Sequence, residues 1–173
     1  MGFRMEYGDT NFIALVNADQ YKTYVSEDWE LDMLLNHFVQ EMQIGNILVL
    51  QMTNEGVEHS WTTEFTFENN IDVESCYRRA KGYIQVTDNQ LYLVDYTCLT
   101  MAAQFEDCIV PDDNCARYRI ELQNGTYQVE IIQYYNPDIG EYVGIKEAEL
   151  IMDFKKVTEL GKNEDKVIWC SYM

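Results

Sequence analysis

The sequence predicts a mainly β, α+β fold: an antiparallel β-sandwich or jelly-roll-like body with one amphipathic helix near the N-terminus. Three observations support this prediction. Several segments alternate apolar and polar residues with the period of a strand, turn-forming pairs separate them, and one segment shows the period of a helix. A chain of 173 residues fits one domain, and we predict that residues 1–173 form a single globular domain.

The N-terminal third contains the predicted helix. Residues 12–16 and 21–25 are two short predicted strands. The segment "VSEDWELDMLLNHFVQEMQIGN" then places its leucines, phenylalanine and second methionine on one helical face. Ser26 is the predicted N-cap, and the acidic residues after it suit the positive end of the helix dipole. Gly45 supplies the left-handed residue that ends the helix.

After this helix the hydrophobic period becomes that of strands. "NILVLQMT" is a continuous apolar run typical of a central strand, and "HSWTTEFTFEN" alternates strictly. "CYRRAKGYIQVTDNQLYLVDYTCL" predicts two strands joined at Asp88-Asn89, and "ARYRIELQNGTYQVEIIQYYN" predicts a hairpin joined at Asn124-Gly125. "AELIMDF" and "KVIWCSY" each predict a further strand, and "QFEDCIVPDDNC" predicts a long exposed loop.

The charge of the chain bears on its partners. Thirty acidic residues against twelve lysines and arginines give a net charge of −18. Such a surface repels nucleic acid and anionic membranes, and it accelerates encounter with cationic proteins. The alternative interpretation is that the acidity serves solubility alone. A basic protein is therefore a better candidate partner than a nucleic acid or a membrane.

The compartment follows from the cysteines and the N-terminus. The segment "MGFRMEYGDTNF" has no signal-peptide pattern, and no apolar run is long enough to span a membrane. Five cysteines without a CxxC pair are expected to be free thiols in a reducing compartment. We therefore predict a cytoplasmic protein.

Motifs that carry chemistry are weak in this sequence. It lacks a phosphate-binding loop and a nucleophile elbow, and it has two histidines. Two groups contain possible metal ligands: His59 with neighbouring glutamates, and Cys108 with Cys115. Neither supplies enough ligands for structural zinc, which needs about four. We predict no catalytic residues, no cofactor and no bound metal, and hence no enzyme. Catalytic sets assembled from distant carboxylates and tyrosines leave no local signature, so an enzymatic role stays open.

The order of elements adds a family resemblance. Asp28-Trp29 at the start of the helical segment precedes "GNILVLQMT" and "HSWTTEF", and then "YRRAKGYIQVTDNQLYLV" and "NGTYQVEIIQYY". This arrangement resembles the competence protein J family of nuclease inhibitors, small acidic bacterial proteins that bind a DNA-entry nuclease. It is also similar to acidic immunity proteins that neutralise polymorphic nuclease toxins. The resemblance implies a cytoplasmic, non-enzymatic protein that binds and neutralises a basic partner such as a nuclease or toxin.

Candidate partner-binding residues follow from the physics of such a complex. Charge complementarity steers association, while a few buried aromatic anchors supply most of the affinity. Asp28 and the aromatic Trp29 are candidates on the condition that the tryptophan is exposed. The other candidates are acids in predicted loops or before a predicted strand: Glu55, Glu58, Asp112, Asp113, Asp138 and Glu141. Two alternatives remain. One is a small-ligand-binding or enzymatic β-domain with a cavity lined by Tyr142 and at most one of Tyr134 and Tyr135, because adjacent strand residues face opposite sides. The other is a structural domain that forms a homo-oligomer.

Overall fold

The computed structural model describes residues 1–69, 71 and 75–173. This part of the chain contains eleven strands, two α-helices and a short 3-10 turn at Cys115–Arg117. The strands are β1 (Gly2–Arg4), β2 (Phe12–Val16), β3 (Ile47–Gln51), β4 (Thr62–Phe67), β5 (Arg78–Val86), β6 (Gln90–Asp95), β7 (Arg119–Glu121), β8 (Gly125–Gln133), β9 (Tyr135–Asn136), β10 (Glu141–Tyr142) and β11 (Leu150–Val157). The helices are α1 (Leu31–Gln43) and α2 (Tyr96–Gln104).

The strands form two main sheets and a small ribbon. One sheet has the order β1-β4-β11-β8-β5, and its strands pair antiparallel except for the parallel pair of β4 and β11. The second sheet has the order β3-β2-β6-β7 and is antiparallel throughout. Strands β9 and β10 form the two-stranded ribbon. The predicted mainly β, α+β class with a largely antiparallel body is confirmed.

The helices add a third layer to the two sheets. Helix α1 packs on β3, and α2 packs on β6 and β2, so the four-stranded sheet is covered by helices as well as by the five-stranded sheet. Every residue of β2 and β3 is consequently buried. Burial on both faces explains why these two strands read as continuous apolar runs, whereas β4 alternates.

Helix α1 begins later than the sequence predicts. Its N-cap is Glu30, which makes no side-chain cap hydrogen bond, so the prediction of Ser26 as N-cap is wrong. The Ser26 hydroxyl instead accepts a hydrogen bond from the Asp28 amide at 3.2 Å, which stabilises a turn before the helix. The end of the helix agrees with the prediction, because Gly45 has a φ of +80°.

The two predicted hairpins are crossovers between the sheets. Strand β5 belongs to the five-stranded sheet and β6 to the four-stranded sheet, and the same holds in reverse for β7 and β8. The two reversals meet each other, because the Asn89 amide donates to Asn124 Oδ1 at 2.7 Å and the Asn124 amide donates back to Asn89 Oδ1 at 3.4 Å. The turns are therefore where predicted, but the strand pairings are not.

Three further predictions need correction. Residues 21–25 form no strand, because the Lys22 amide donates to the buried Glu41 carboxylate at 2.7 Å and the Val25 amide to Ala103 O at 2.8 Å. The segment after β6 continues as α2, capped by Asp95, and not as a strand. The C-terminal "KVIWCSY" makes one parallel bridge, Ile168 to Leu50, along the free edge of β3. None of the helices in the described ranges is long and apolar enough to cross a membrane.

Candidate functional site

The eight predicted partner-binding residues divide into two groups in the fold. Asp28, Trp29, Asp112 and Asp113 lie in segments that contact helix α2 or the 3-10 turn beside it. Glu55, Glu58, Asp138 and Glu141 lie in the loop between β3 and β4 and in the β9–β10 ribbon. We call the first region, residues 24–33 and 101–114, the α2 surface. We call the second, residues 53–60 and 137–149, the ribbon surface.

Backbone hydrogen bonds join the two segments of the α2 surface. The amides of Val25 and Ser26 both donate to Ala103 O in the last turn of α2, at 2.8 and 3.1 Å. At the other end of this helix, Asp112 and Cys115 lie against Cys98. A helix of nine residues is about 13 Å long at 1.5 Å per residue, so both segments border one small region.

The α2 surface is acidic throughout. It carries eight carboxylates and no lysine, arginine or histidine; the acids are Glu27, Asp28, Glu30, Asp32, Glu106, Asp107, Asp112 and Asp113. All of them are exposed except Asp112, which is half-buried. None forms an ion pair with any residue that the structure describes. No ion pair within the described part of the chain therefore offsets their mutual repulsion, and a cationic partner would relieve it.

Exposed apolar side chains lie among these carboxylates. Phe105 is 40% exposed and Ile109 is 73% exposed, both in the loop after α2, and Tyr24, Met33 and Met101 are exposed nearby in the chain. Trp29 is half-buried and packs against the core, so it is the least accessible aromatic of this region. Phe105 and Ile109 were not among the predicted residues. The sequence signal that could have identified them is their position in the predicted exposed loop "QFEDCIVPDDNC".

Asp138 organises the ribbon surface. Its carboxylate accepts hydrogen bonds from the Thr53 hydroxyl and from the amides of Asn54 and Glu55, at 3.0 and 3.2 Å for the amides. Partial burial would raise the pKa of Asp138, but these hydrogen bonds and the Arg78 charge outweigh it and lower that pKa. Asp138 thus holds the β3–β4 loop against the ribbon and brings Glu55 close to it. Glu58 and Glu141 are exposed.

A histidine–carboxylate pair borders the ribbon surface. His59 Nε2 lies 2.8 Å from Glu149 Oε2, and the Thr62 amide donates to the other carboxylate oxygen at 2.8 Å. Burial would raise the pKa of Glu149, but the hydrogen bonds from His59 and Thr62 lower it. The His59 ring also stacks on Tyr135 with centroids 4.3 Å apart and meets Trp61 edge-on. The pair therefore joins the ribbon to the start of β4.

A cavity beside the ribbon bears on the alternative of a tyrosine-lined site. It has a volume of about 350 Å³. Tyr134 and Tyr142 line it, together with apolar side chains that include Ile145 and Ile151. Its described lining offers one carboxylate, Glu64, and one ammonium, from Lys146, and neither histidine nor cysteine. This lining suits an apolar group better than an acid–base reaction.

A buried group of thiols and carboxylates lies beneath the α2 surface. Asp95 caps α2 by accepting from the Cys98 amide at 2.9 Å, and the Cys115 thiol lies close to the same carboxylate. Burial raises the pKa of Asp95. Asp112 accepts from the Cys115 amide at 2.8 Å and so starts the 3-10 turn. The sequence had suggested Cys108 as the neighbour of Cys115, whereas the fold brings Cys98 to it.

Comparison with known proteins identifies solved structures of similar fold. No family model and no curated protein matches this chain. Among solved structures, it is similar to ComJ from Bacillus subtilis, an inhibitor of the DNA-degrading activity of NucA, with a TM-score of 0.50 and 11% identity over 91% of this chain and 94% of that one. It is also similar to a protein described as crocagin biosynthetic gene J, with a TM-score of 0.56 and 8% identity over 90% and 94% of the two chains. The chain therefore has a ComJ-like fold.

Proposed function

We propose that this protein is a non-enzymatic, cytoplasmic inhibitor that binds and neutralises a basic protein, specifically a nuclease. The observation that carries the proposal is the α2 surface: eight carboxylates that form no ion pair with the described residues, on segments that also carry exposed Phe105 and Ile109. The fold shared with ComJ, an inhibitor of NucA activity, supports the same role. The net charge of −18 makes nucleic acid itself a poor ligand.

The physical basis is competition for a phosphate-binding groove. A nuclease holds nucleic acid with positive side chains, so a surface of carboxylates fits the same groove. Charge steers the encounter, whereas affinity depends on apolar anchors that become fully desolvated in the interface. Phe105 and Ile109 are the exposed anchors closest in sequence to Glu106, Asp107 and Asp113. Glu55, Glu58, Asp138 and Glu141 would then contribute only to the long-range field.

Capture from host lysate tests the proposal. Tagged wild-type protein, the variant Asp107→Lys with Asp113→Lys, and the control Glu55→Lys with Glu141→Lys are compared at low and moderate salt. All four positions are exposed, and the two variants change the charge equally. Captured proteins are identified by mass spectrometry and assayed for DNA degradation with and without added wild-type protein.

We expect wild type and the ribbon-surface control to capture a basic nuclease at low salt and to inhibit it, and the α2-surface variant to lose both properties. Equal loss in the two variants would show that net charge acts without a specific surface. Capture of no nuclease at either salt, or of one whose activity is unchanged, would contradict the proposal. In the positive case, Phe105→Ala with Ile109→Ala should weaken binding by about tenfold or more, and Ile139→Ala with Ile145→Ala should not.

A further inference from the structure

Three potential metal ligands converge at the start of helix α2. Cys98 lies in the first turn of α2, and Asp112 and Cys115 lie at the 3-10 turn. One carboxylate oxygen of Asp112 and the two Sγ atoms all lie within 4.8 Å of one another. Both thiols are fully buried, whereas Asp112 is half-buried. Solvent therefore reaches this cluster from the side of Asp112.

The donor set selects the kind of ion. Two sulfur donors and one carboxylate oxygen are ligands that zinc takes in proteins, whereas calcium and magnesium require mostly oxygen. With Zn–S bonds of about 2.3 Å and Zn–O bonds of about 2.1 Å, a tetrahedral ion separates its ligand atoms by about 3.5–3.8 Å. Side-chain rotation that closes the cluster by about 1 Å is enough to reach that spacing. We propose that Cys98, Cys115 and Asp112 bind one zinc ion.

Neighbouring hydrogen bonds already orient the three ligands. Asp112 gives one carboxylate oxygen to the Cys115 amide at 2.8 Å, which leaves the other for the metal. Asp95, which is 1% exposed, accepts from the Cys98 amide at 2.9 Å and so fixes the first turn of α2, which carries Cys98. Such supporting contacts position metal ligands in proteins and strengthen binding. The fourth ligand would be water, which can reach the cluster from the half-buried side at Asp112.

Zinc binding would cross-link α2 to the loop that follows it. Cys98 belongs to the helix, and Asp112 and Cys115 end the loop that carries Phe105, Ile109 and Asp113. An ion bound to both would stabilise the folded arrangement of this loop, because binding energy adds to folding energy. The inference rests on the cluster alone and does not depend on the proposed inhibitory role.

Cobalt titration tests the site, because Co²⁺ replaces zinc and gives visible absorption. The reduced, metal-free protein is titrated with Co²⁺ and then with Zn²⁺. We expect one equivalent of cobalt to produce a thiolate-to-cobalt charge-transfer band with the intense bands of tetrahedral cobalt, and zinc to remove them. Zinc should also raise the melting temperature. Cys98→Ser and Cys115→Ser should lose the charge-transfer band, whereas the control Cys108→Ser, outside the cluster, should keep it.

A second variant guards against a folding defect in the cysteine variants. Asp112→Asn keeps an oxygen for the Cys115 amide, and circular dichroism verifies that it folds. It should weaken cobalt binding by about tenfold or more, whereas Asp113→Asn should leave it unchanged. Absence of a charge-transfer band in reduced wild-type protein, or an unchanged band in Cys98→Ser, would overturn the proposal. Unchanged cobalt affinity in Asp112→Asn would equally contradict the assigned ligand set.

Discussion

At the scale of single residues, the acidic side chains divide by what their carboxylates already do. Asp138 and Asp112 accept hydrogen bonds from backbone amides and thereby fix loops. Asp28 and Asp113 are exposed and form no ion pair with the residues that the structure describes. The sequence pattern predicted all four as partner-binding residues because an Asp in a loop looks the same in both situations. Whether the carboxylate of such an Asp fixes a loop depends on whether the fold brings a backbone amide within hydrogen-bond distance of it.

The role of Asp138 predicts a pH-dependent contribution to stability. Asp138→Ala should lower the free energy of unfolding by about 1 kcal/mol at pH 7, because the hydroxyl of Thr53 and two loop amides lose their acceptor. The pKa of Asp138 is lowered in the folded state, so its contribution is complete above the unfolded pKa of about 3.9. That contribution is lost as the pH falls through the lower, folded-state pKa.

Urea unfolding of wild type and variant between pH 7 and about pH 3 measures this effect. The difference in free energy should be constant above about pH 5 and shrink toward zero below about pH 4. The control Asp113→Ala removes an exposed carboxylate and should change stability by less than about 0.5 kcal/mol. A difference for Asp138→Ala that grows as the pH falls would contradict the assigned role.

At the scale of elements, local patterns predicted where strands and turns lie but not how strands pair. Asn124-Gly125 does reverse the chain, as an Asn-Gly pair should, yet β7 and β8 belong to different sheets. Pairing is decided by which sheet buries each apolar face, which is a property of distant contacts. Helix α2 was missed because its nine residues follow β6 directly and are apolar enough to continue a strand.

The displaced start of α1 leads to a prediction about capping. Glu30 has extended N-cap geometry but no side-chain cap hydrogen bond. Glu30→Asp keeps the charge and shortens the side chain to one that caps, so it should raise the free energy of unfolding by about 0.5–1 kcal/mol. Glu27→Asp, which lies outside the helix, should have no comparable effect. Thermal unfolding measures the stability of both variants. A larger increase in stability for Glu27→Asp than for Glu30→Asp would contradict this helix start.

A buried asparagine in a polar connector is the clearest feature that the sequence did not indicate. Asn163 Oδ1 accepts from the Tyr83 amide at 2.8 Å, and Nδ2 donates to Met42 O at 2.7 Å and Tyr83 O at 3.0 Å. Its side chain thus provides hydrogen-bond partners for backbone groups at the outer edge of β5 and at the end of α1. Asn163→Ala should cost about 2–4 kcal/mol of unfolding free energy, because buried backbone groups lose their partners. Lys162→Ala, at an exposed neighbour, should cost less than about 0.5 kcal/mol.

At the scale of the whole molecule, composition predicted the nature of the surface but not its distribution. The net charge of −18 is readable directly. That the two segments carrying eight of these carboxylates meet at α2 depends on two backbone hydrogen bonds from residues 25 and 26 to Ala103. The apolar anchors are a second example. Phe105 and Ile109 can be read from the sequence, but the fold decides that their side chains are exposed. Likewise, the meeting of Cys98 with Cys115 depends on the crossing of α2 and the 3-10 turn.

This uneven charge distribution predicts how salt affects stability. Like charges repel in the folded protein, and the repulsion is screened as the Debye length falls from about 30 Å at 0.01 M salt to about 10 Å at 0.1 M. The melting temperature of wild type should therefore rise with sodium chloride. Asp107→Lys with Asp113→Lys should raise it already at low salt and reduce the salt dependence. Glu55→Lys with Glu141→Lys should do so less, because Lys146 already lies on the ribbon surface.

A charge-preserving control is the variant Asp107→Glu with Asp113→Glu, which should leave the salt dependence as in wild type. If that variant matched the lysine variant, or if salt lowered the melting temperature of wild type, repulsion on the α2 surface would not be what limits stability at low salt.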